Sequence, residues 1–173
     1  MVRIVRGPDA TACRALGGLL AETGVRARVH VRDATALERI AGEFGPSGSF
    51  YLVLAELAGR PIAGCLALTT GPRAYYLYAG SLREPSLRHA FGSYAALWGL
   101  CRELIADGRS SLDLWGVAEP GDAGADPSWA GFSLFKRGFG GTPLRHPGTF
   151  DLPLDPFWYR ARSWRELVAG RLR

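Results

Sequence analysis

The chain has 173 residues, 47% of them hydrophobic and 21% charged, with a formal net charge of +5. A domain of this size buries roughly 70% of its unfolded surface, so a core can form without disulfides or metal. Five Trp, six Tyr and eight Phe beside so small a charge exclude a disordered chain. No apolar run reaches the roughly 18 residues of a membrane span. The start, MVRIVRGPDA, lacks the apolar stretch of a secretory signal. Cys13, Cys65 and Cys101 are odd in number and widely spaced, with no CxxC and no Cys/His cluster. A disulfide framework and a structural zinc are therefore not expected, and the expected compartment is a reducing cytoplasm.

In chain order, residues 2–6 suit a short strand and 9–23 a helix with Leu16, Leu19 and Leu20 on one face. Asp33 is a good N-cap for a second helix that ends at Gly45. Residues 49–57 and 61–70 are two strands around an Ala58-Gly59-Arg60 turn, a β-hairpin. Residues 74–80 form a third strand. A long helix follows, with Pro85 in its first turn. Leu87, Phe91, Tyr94, Trp98, Cys101 and Ile105 recur at steps of three or four, which predicts a buried stripe. Residues 110–117 are a strand, 119–128 a polar Gly/Pro loop, 129–137 a helix and 148–154 a strand. The tail, 156–173, is a basic amphipathic helix. With no repeat and no linker, residues 1–173 are expected to form one domain of α/β (α+β) class around a mixed, mostly antiparallel sheet.

Charge is unevenly placed. Residues 1–128 carry 13 Arg against 13 acids, whereas residues 129–173 carry eight basic residues against three acids. The whole positive excess lies in the last quarter. That placement suits an anionic partner or a solvated basic face. Of 21 basic residues, 20 are Arg; Lys136 is the only lysine, and Asn and Gln are absent. Where Arg supplies every generic positive charge, a retained Lys points to a need for a compact ammonium.

Three segments carry a resemblance: Tyr75-Tyr76-Leu77-Tyr78-Ala79-Gly80-Ser81, Leu112-Asp113-Leu114-Trp115-Gly116, and Phe132-Ser133-Leu134-Phe135-Lys136-Arg137-Gly138-Phe139-Gly140-Gly141. Together with the AGRPIAG hairpin and the GTFDLPL tail segment, they resemble the acyltransferase domain of the Fem family over about residues 20–160. The FKRGFGG match is the most specific of these. The resemblance implies a GCN5-related N-acetyltransferase (GNAT) fold. It also implies transfer of an amino acid from aminoacyl-tRNA to an amine acceptor, either a peptidoglycan-type precursor or a natural-product intermediate. No cofactor is implied, since aminoacyl-tRNA is a co-substrate. Fem proteins carry two such domains, and this chain has the length of one. A homodimer mate or a partner subunit would then replace the missing half.

The resemblance places Lys136 at the donor end of the cleft. There it would stabilise the oxyanion or the departing ribose oxygen, with Phe135 packed against the donor. Tyr78 could orient the amine, or it is a half-buried strand tyrosine. Asp113 could take a proton from the nucleophile, or it is a hydrogen-bonded structural carboxylate. Tyr76, of the same strand parity as Tyr78, is expected on the same face. Trp115 would line the cleft or the core. Arg137 would meet phosphate or solvent, and Gly140 and Gly141 would let the backbone approach a ligand or turn sharply. His89 and Glu56 are weaker base candidates. Arg160, Arg162 and Arg165 of the tail would track an acceptor stem by phosphate contacts.

Acyl-CoA-dependent GNAT enzymes offer the alternative donor. They place a (Q/R)-x-x-G-x-(G/A) loop before the long helix. Here Arg88 and Gly92 are four apart rather than three, and Pro85 removes an amide. A non-catalytic nucleic-acid-binding module is a third reading, which would keep the basic tail without needing Lys136.

Overall fold

The computed structural model describes residues 1–118, 129–147, 150, 152–160, 162 and 164. They fall into two compact units, Met1–Gly141 and Thr142–Arg173.

In the first unit the sheet is built from β1 (Val2–Val5), β2 (Phe50–Leu57), β3 (Arg60–Thr70), β4 (Arg73–Ser81) and β5 (Ser111–Asp113), in the order β1-β2-β3-β4-β5. Neighbours are antiparallel except β4 and β5, which are parallel. The helices are α1 (Ala10–Ala27), α2 (Ala34–Phe44), α3 (Gly92–Ala106) and α4 (Ala130–Arg137). This is the expected mixed, mostly antiparallel α/β class.

β2 shows why the sheet is covered on both faces. Its alternate residues Phe50, Leu52 and Leu54 join Leu16, Leu19, Leu20 and Leu37 of α1 and α2. Tyr51, Val53 and Ala55 join Leu97, Leu100 and Leu104 of α3. Each large apolar side chain fully buried this way contributes about 1.5–3 kcal/mol. Asp9 and Asp33 cap α1 and α2, accepting from the Ala12 and Ala36 amides at 2.9 and 2.8 Å. The β2–β3 turn needs only Ala58 and Gly59, both at positive φ, as a two-residue hairpin turn requires.

Three expectations are corrected. The long helix begins at Gly92, not near Pro85: Pro85–Leu87 is a short 3-10 turn, and Phe91, at φ 48°, sets off the helix proper. The buried face of α3 is Ala96, Leu97, Leu100 and Leu104, whereas Phe91, Tyr94, Trp98 and Ile105 of the expected buried stripe are exposed. Both faces are apolar at helical spacing. The smaller residues face the sheet, because Ala96 and Gly99 let α3 approach it closely. A Cβ on Gly99 would lie 2.6 Å from the Val2 side chain on β1. The third correction is β5, which stops at Asp113 rather than reaching residue 117.

The second unit holds a helical stretch at 156–160, started by Asp155, whose Oδ1 accepts from the Phe157 and Trp158 amides. Residues 148, 149 and 151 of the expected strand, and most of the tail beyond 160, lie outside the described residues.

Candidate functional site

β4 and β5 pair only at Arg73–Tyr75 against Ser111–Asp113. β4 then continues to Ser81 with no partner on that side among the described residues, so the two strands part. The cause is local. Asp113 Oδ1 accepts from the Trp115 amide at 2.7 Å, a turn that the strand cannot survive, and Trp115 takes φ 61°. Asp113 is thus engaged with its own backbone, and Trp115 is exposed at the end of β5.

α4 closes onto this parted edge through three polar side chains. Lys136 Nζ donates to the Gly116 carbonyl at 2.8 Å. Ser133 Oγ, almost fully buried, accepts from the Ala118 amide at 2.9 Å, and Arg137 donates to the Ala118 carbonyl. Residues 133, 136 and 137 are i, i+3 and i+4 on one helix, so one face holds the backbone of 116–118. Gly116 suits that approach, since a Cβ there would meet the Trp129 ring at 3.2 Å.

Lys136 is half-buried. Burial lowers its ammonium below the usual lysine pKa, while the nearby Asp113 carboxylate pushes it back up. Its Nζ also lies 4.8 Å from the centre of the Phe132 ring, which stands 5.2 Å from Trp129. One of the three ammonium donors is used by Gly116, which fixes the head and leaves further donor capacity. Phe135, one residue back, turns to α3: it meets Tyr94 at 4.9 Å and Phe139 at 5.5 Å, edge to face.

The two β4 tyrosines do not share a face. Leu66 pairs with Tyr78 but Ala67 pairs with Tyr76, so Leu77 is an extra residue, a β-bulge. The bulge reverses the alternation. Tyr78 packs with the α1 and α2 cluster, Tyr76 with the α3 cluster that also takes Phe135. The expectation of a common face is thereby corrected. Burial holds the Tyr76 hydroxyl protonated well above the usual phenol range, with the Cys65 and Cys101 thiols nearby adding to it.

Gly140, at φ 74°, turns the chain after α4, its amide bonded to the Arg137 carbonyl at 2.9 Å; Gly141 is open. The structure therefore gathers Lys136, Arg137, Asp113 and Trp115 at the end of β5, with Phe135 one step away toward α3. Tyr76 and Tyr78 stand on β4. Arg160 and Arg162 belong to the second unit, and Arg165 lies outside the described residues. Sequence reasoning missed Ser133, Gly116 and Tyr94. Ser133 was detectable as a small polar residue three before Lys136 on an amphipathic helix. The Gly116 carbonyl, being backbone, left no side-chain signal.

The same architecture recurs in solved structures. An aminoglycoside acetyltransferase from an uncultured soil metagenomic sample, in complex with sisomicin, aligns with TM-score 0.62 at 13% identity over 90% of this chain and 96% of its own. FemX aligns with TM-score 0.65 at 15% identity over 78% of this chain and 49% of its own, so this chain spans about half of it. The ribosomal-protein-S18-alanine N-acetyltransferase of Escherichia coli aligns with TM-score 0.53 at 16% identity, over 79% of this chain and 75% of its own. At these identities the likeness shows the fold, that of the GNAT acyltransferases. No curated protein matched the sequence. The FemAB family model matches residues 52–165, and the chain belongs to the FemAB family. Family and fold together support an acyltransferase. No described helix is long and apolar enough to cross a membrane.

Proposed function

We propose that the protein transfers an aminoacyl group from aminoacyl-tRNA to an amine acceptor. The amine nitrogen attacks the ester carbonyl, an amide bond forms, and the bond to the ribose oxygen breaks. The proton lost by the amine ends on that oxygen as the ribose hydroxyl. Negative charge develops first on the carbonyl oxygen and then on the leaving oxygen, so the site needs a fixed positive charge there. The observation that carries this reading is Lys136: the chain's only lysine, half-desolvated and held by the Gly116 carbonyl where β4 and β5 part.

In this reading Phe135 shapes the donor end, and Tyr76 and Trp115 contact substrate. Gly140 and Gly141 leave room for it. Tyr78 and Asp113 assist the nucleophile. Arg137 meets a substrate phosphate. Arg160, Arg162 and Arg165 of the tail track the acceptor stem by their own phosphate contacts. The acceptor is a small amine-bearing natural-product intermediate or peptidoglycan-type precursor, and the reaction belongs in the cytoplasm. A second copy or a partner subunit supplies what the other half of a Fem protein would supply. An acyl-CoA donor is the second reading, favoured by the first turn of α3, whose amides have no side-chain cap.

Thermal unfolding at low salt, with deacylated bulk tRNA or with acetyl-CoA, separates the two donors, because a ligand of the native state raises Tm. We expect a rise with tRNA that fades as salt is added. A rise with acetyl-CoA alone would transfer the donor role to acyl-CoA.

A further inference from the structure

We propose that the outer face of α3 pairs with the same face of a second copy of this chain, the two helices running antiparallel about a twofold axis at Trp98. The proposal deepens the functional reading above and rests on it only for what the second copy supplies to the reaction.

α3 is apolar on two faces, and the sheet covers one of them. On the other, Phe91 is 62% exposed, Tyr94 44%, Trp98 58% and Ile105 69%. Single exposed apolar residues are ordinary on a protein surface, but these four lie in one stripe, about 21 Å long at the rise of an α-helix. With about 150–250 Å² to each aromatic side chain, the four leave roughly 500 Å² open. Two copies face to face would bury about 1,000 Å² before any rim residue is counted, which is where specific interfaces begin.

The order of the residues selects the occupant. Phe91, Tyr94, Trp98, Arg102 and Ile105 follow at steps of three, four, four and three, a spacing that reads the same in both directions from Trp98. A twofold interface is self-complementary, so each residue meets the one equally far across the axis. Trp98 then meets Trp98, and Phe91 meets Ile105, apolar on apolar. Tyr94 meets Arg102, the only charge in the stripe, which is exposed and has no hydrogen bond or ion pair among the described residues. A guanidinium over a tyrosine ring is an attractive pair. The two Arg102 side chains stand about 12 Å apart along the paired helices, beyond the ~10 Å screening length at 0.1 M salt. Parallel pairing would instead set Arg102 against Arg102. Charge therefore favours a second copy in the antiparallel sense.

Tyr94 also meets Phe135 at 4.9 Å, and Phe135 precedes Lys136 in the chain. The paired face thus reaches the margin of the candidate site, which is where a second copy would contribute.

The test is sedimentation velocity across a wide concentration range on the wild type, Phe91→Lys, Ile105→Glu and an equal mixture of the two variants. The wild type should pass from monomer to dimer as concentration rises. Each lesion occurs twice in a symmetric dimer, so at about tenfold apiece either variant alone should associate about a hundredfold more weakly. In the mixture the lysine of one variant faces the glutamate of the other, and the second contact keeps its native Phe91 and Ile105, so association should return. Both positions are exposed, so both variants should keep the wild-type Tm. Recovery on mixing reports the pairing alone, because mixing does not rescue a chain that fails to fold. A wild type that stays monomeric, variants that dimerise as the wild type does, or a mixture that stays monomeric would each overturn the pairing. The readout needs no tRNA and no acceptor, so its failure leaves the donor reading standing, and failure of the donor reading leaves the paired face standing.

Discussion

Lys136 and Gly116, twenty residues apart, are joined by a 2.8 Å hydrogen bond from ammonium to carbonyl. It ties α4 to the chain just after β5 and places the only lysine at the point where the sheet opens. The bond has a structural role, and the chemical role proposed for Lys136 is separable from it.

Lys136→Met keeps the stem and removes the charge and the bond. The partially exposed carbonyl can turn to water, so the stability loss should be about 1 kcal/mol, or roughly 2–4 °C in Tm. The pH dependence is more telling. The folded-state pKa of Lys136 is lowered, so the unfolded chain binds more protons in the window below 10.5. Stability from this group therefore rises with pH as the window is crossed. Urea midpoints measured across the alkaline range should show that rise in the wild type relative to Lys136→Met. A difference that stays flat would mean that the ammonium is as well solvated in the folded protein as in the unfolded one.

Gly80 on β4 lies against α1. An added Cβ would sit 2.5 Å from the Leu19 carbonyl carbon and oxygen and 2.6 Å from the Leu20 amide nitrogen. These are backbone atoms and cannot rotate away, so strand and helix must separate. Gly80→Ala should destabilise by about 1–3 kcal/mol, as overpacking does. Gly18→Ala, where a Cβ meets nothing within 4 Å, is the matched control and should be neutral or slightly stabilising. Denaturant titration of both variants checks the contrast.

At the other end of the sheet, the buried Tyr51 donates to Asp107 at 2.6 Å. Arg6 pairs with the same carboxylate at 2.6 Å while lying 3.7 Å from the centre of the Tyr51 ring. The Tyr51 bond, then Arg6, holds Asp107 below the usual 3.8. Its stabilisation is therefore full above that value and is lost as pH falls through the lowered folded pKa. Tyr51→Phe should cost about 1–2 kcal/mol at neutral pH. That deficit should shrink below pH 4, because the acid limb is shallower in the variant; unfolding midpoints across the acid range test it.

The β2–β3 hairpin and β4 were legible because short apolar runs rich in aromatic and aliphatic residues, broken at Gly59 and Gly71, mark strands and turns directly. The centre of the candidate site was singled out for a different reason: Lys136 stands alone in a chain of arginines, inside a motif of family character. What escaped was set by tertiary choice. Both faces of α3 are apolar at helical spacing, and only Gly99 and Ala96 against the sheet decide which is buried. The bulge at Leu77 follows from the β3 register, not from any residue type, and it alone sends Tyr76 and Tyr78 to opposite faces. The early stop of β5 was hidden in Asp113, whose turn with the Trp115 amide is short-range but competes with strand pairing.

The donor is tested most directly by transfer from tRNA charged with labelled amino acids to a panel of small amines, comparing the wild type with Lys136→Ala at matched fraction folded. Loss of a positioned oxyanion-stabilising group should lower amide formation by about 10²–10³-fold, with tRNA binding retained. Equal transfer by the variant, or amide formed only when acetyl-CoA replaces charged tRNA, would contradict the assignment of Lys136 to tRNA-dependent aminoacyl transfer.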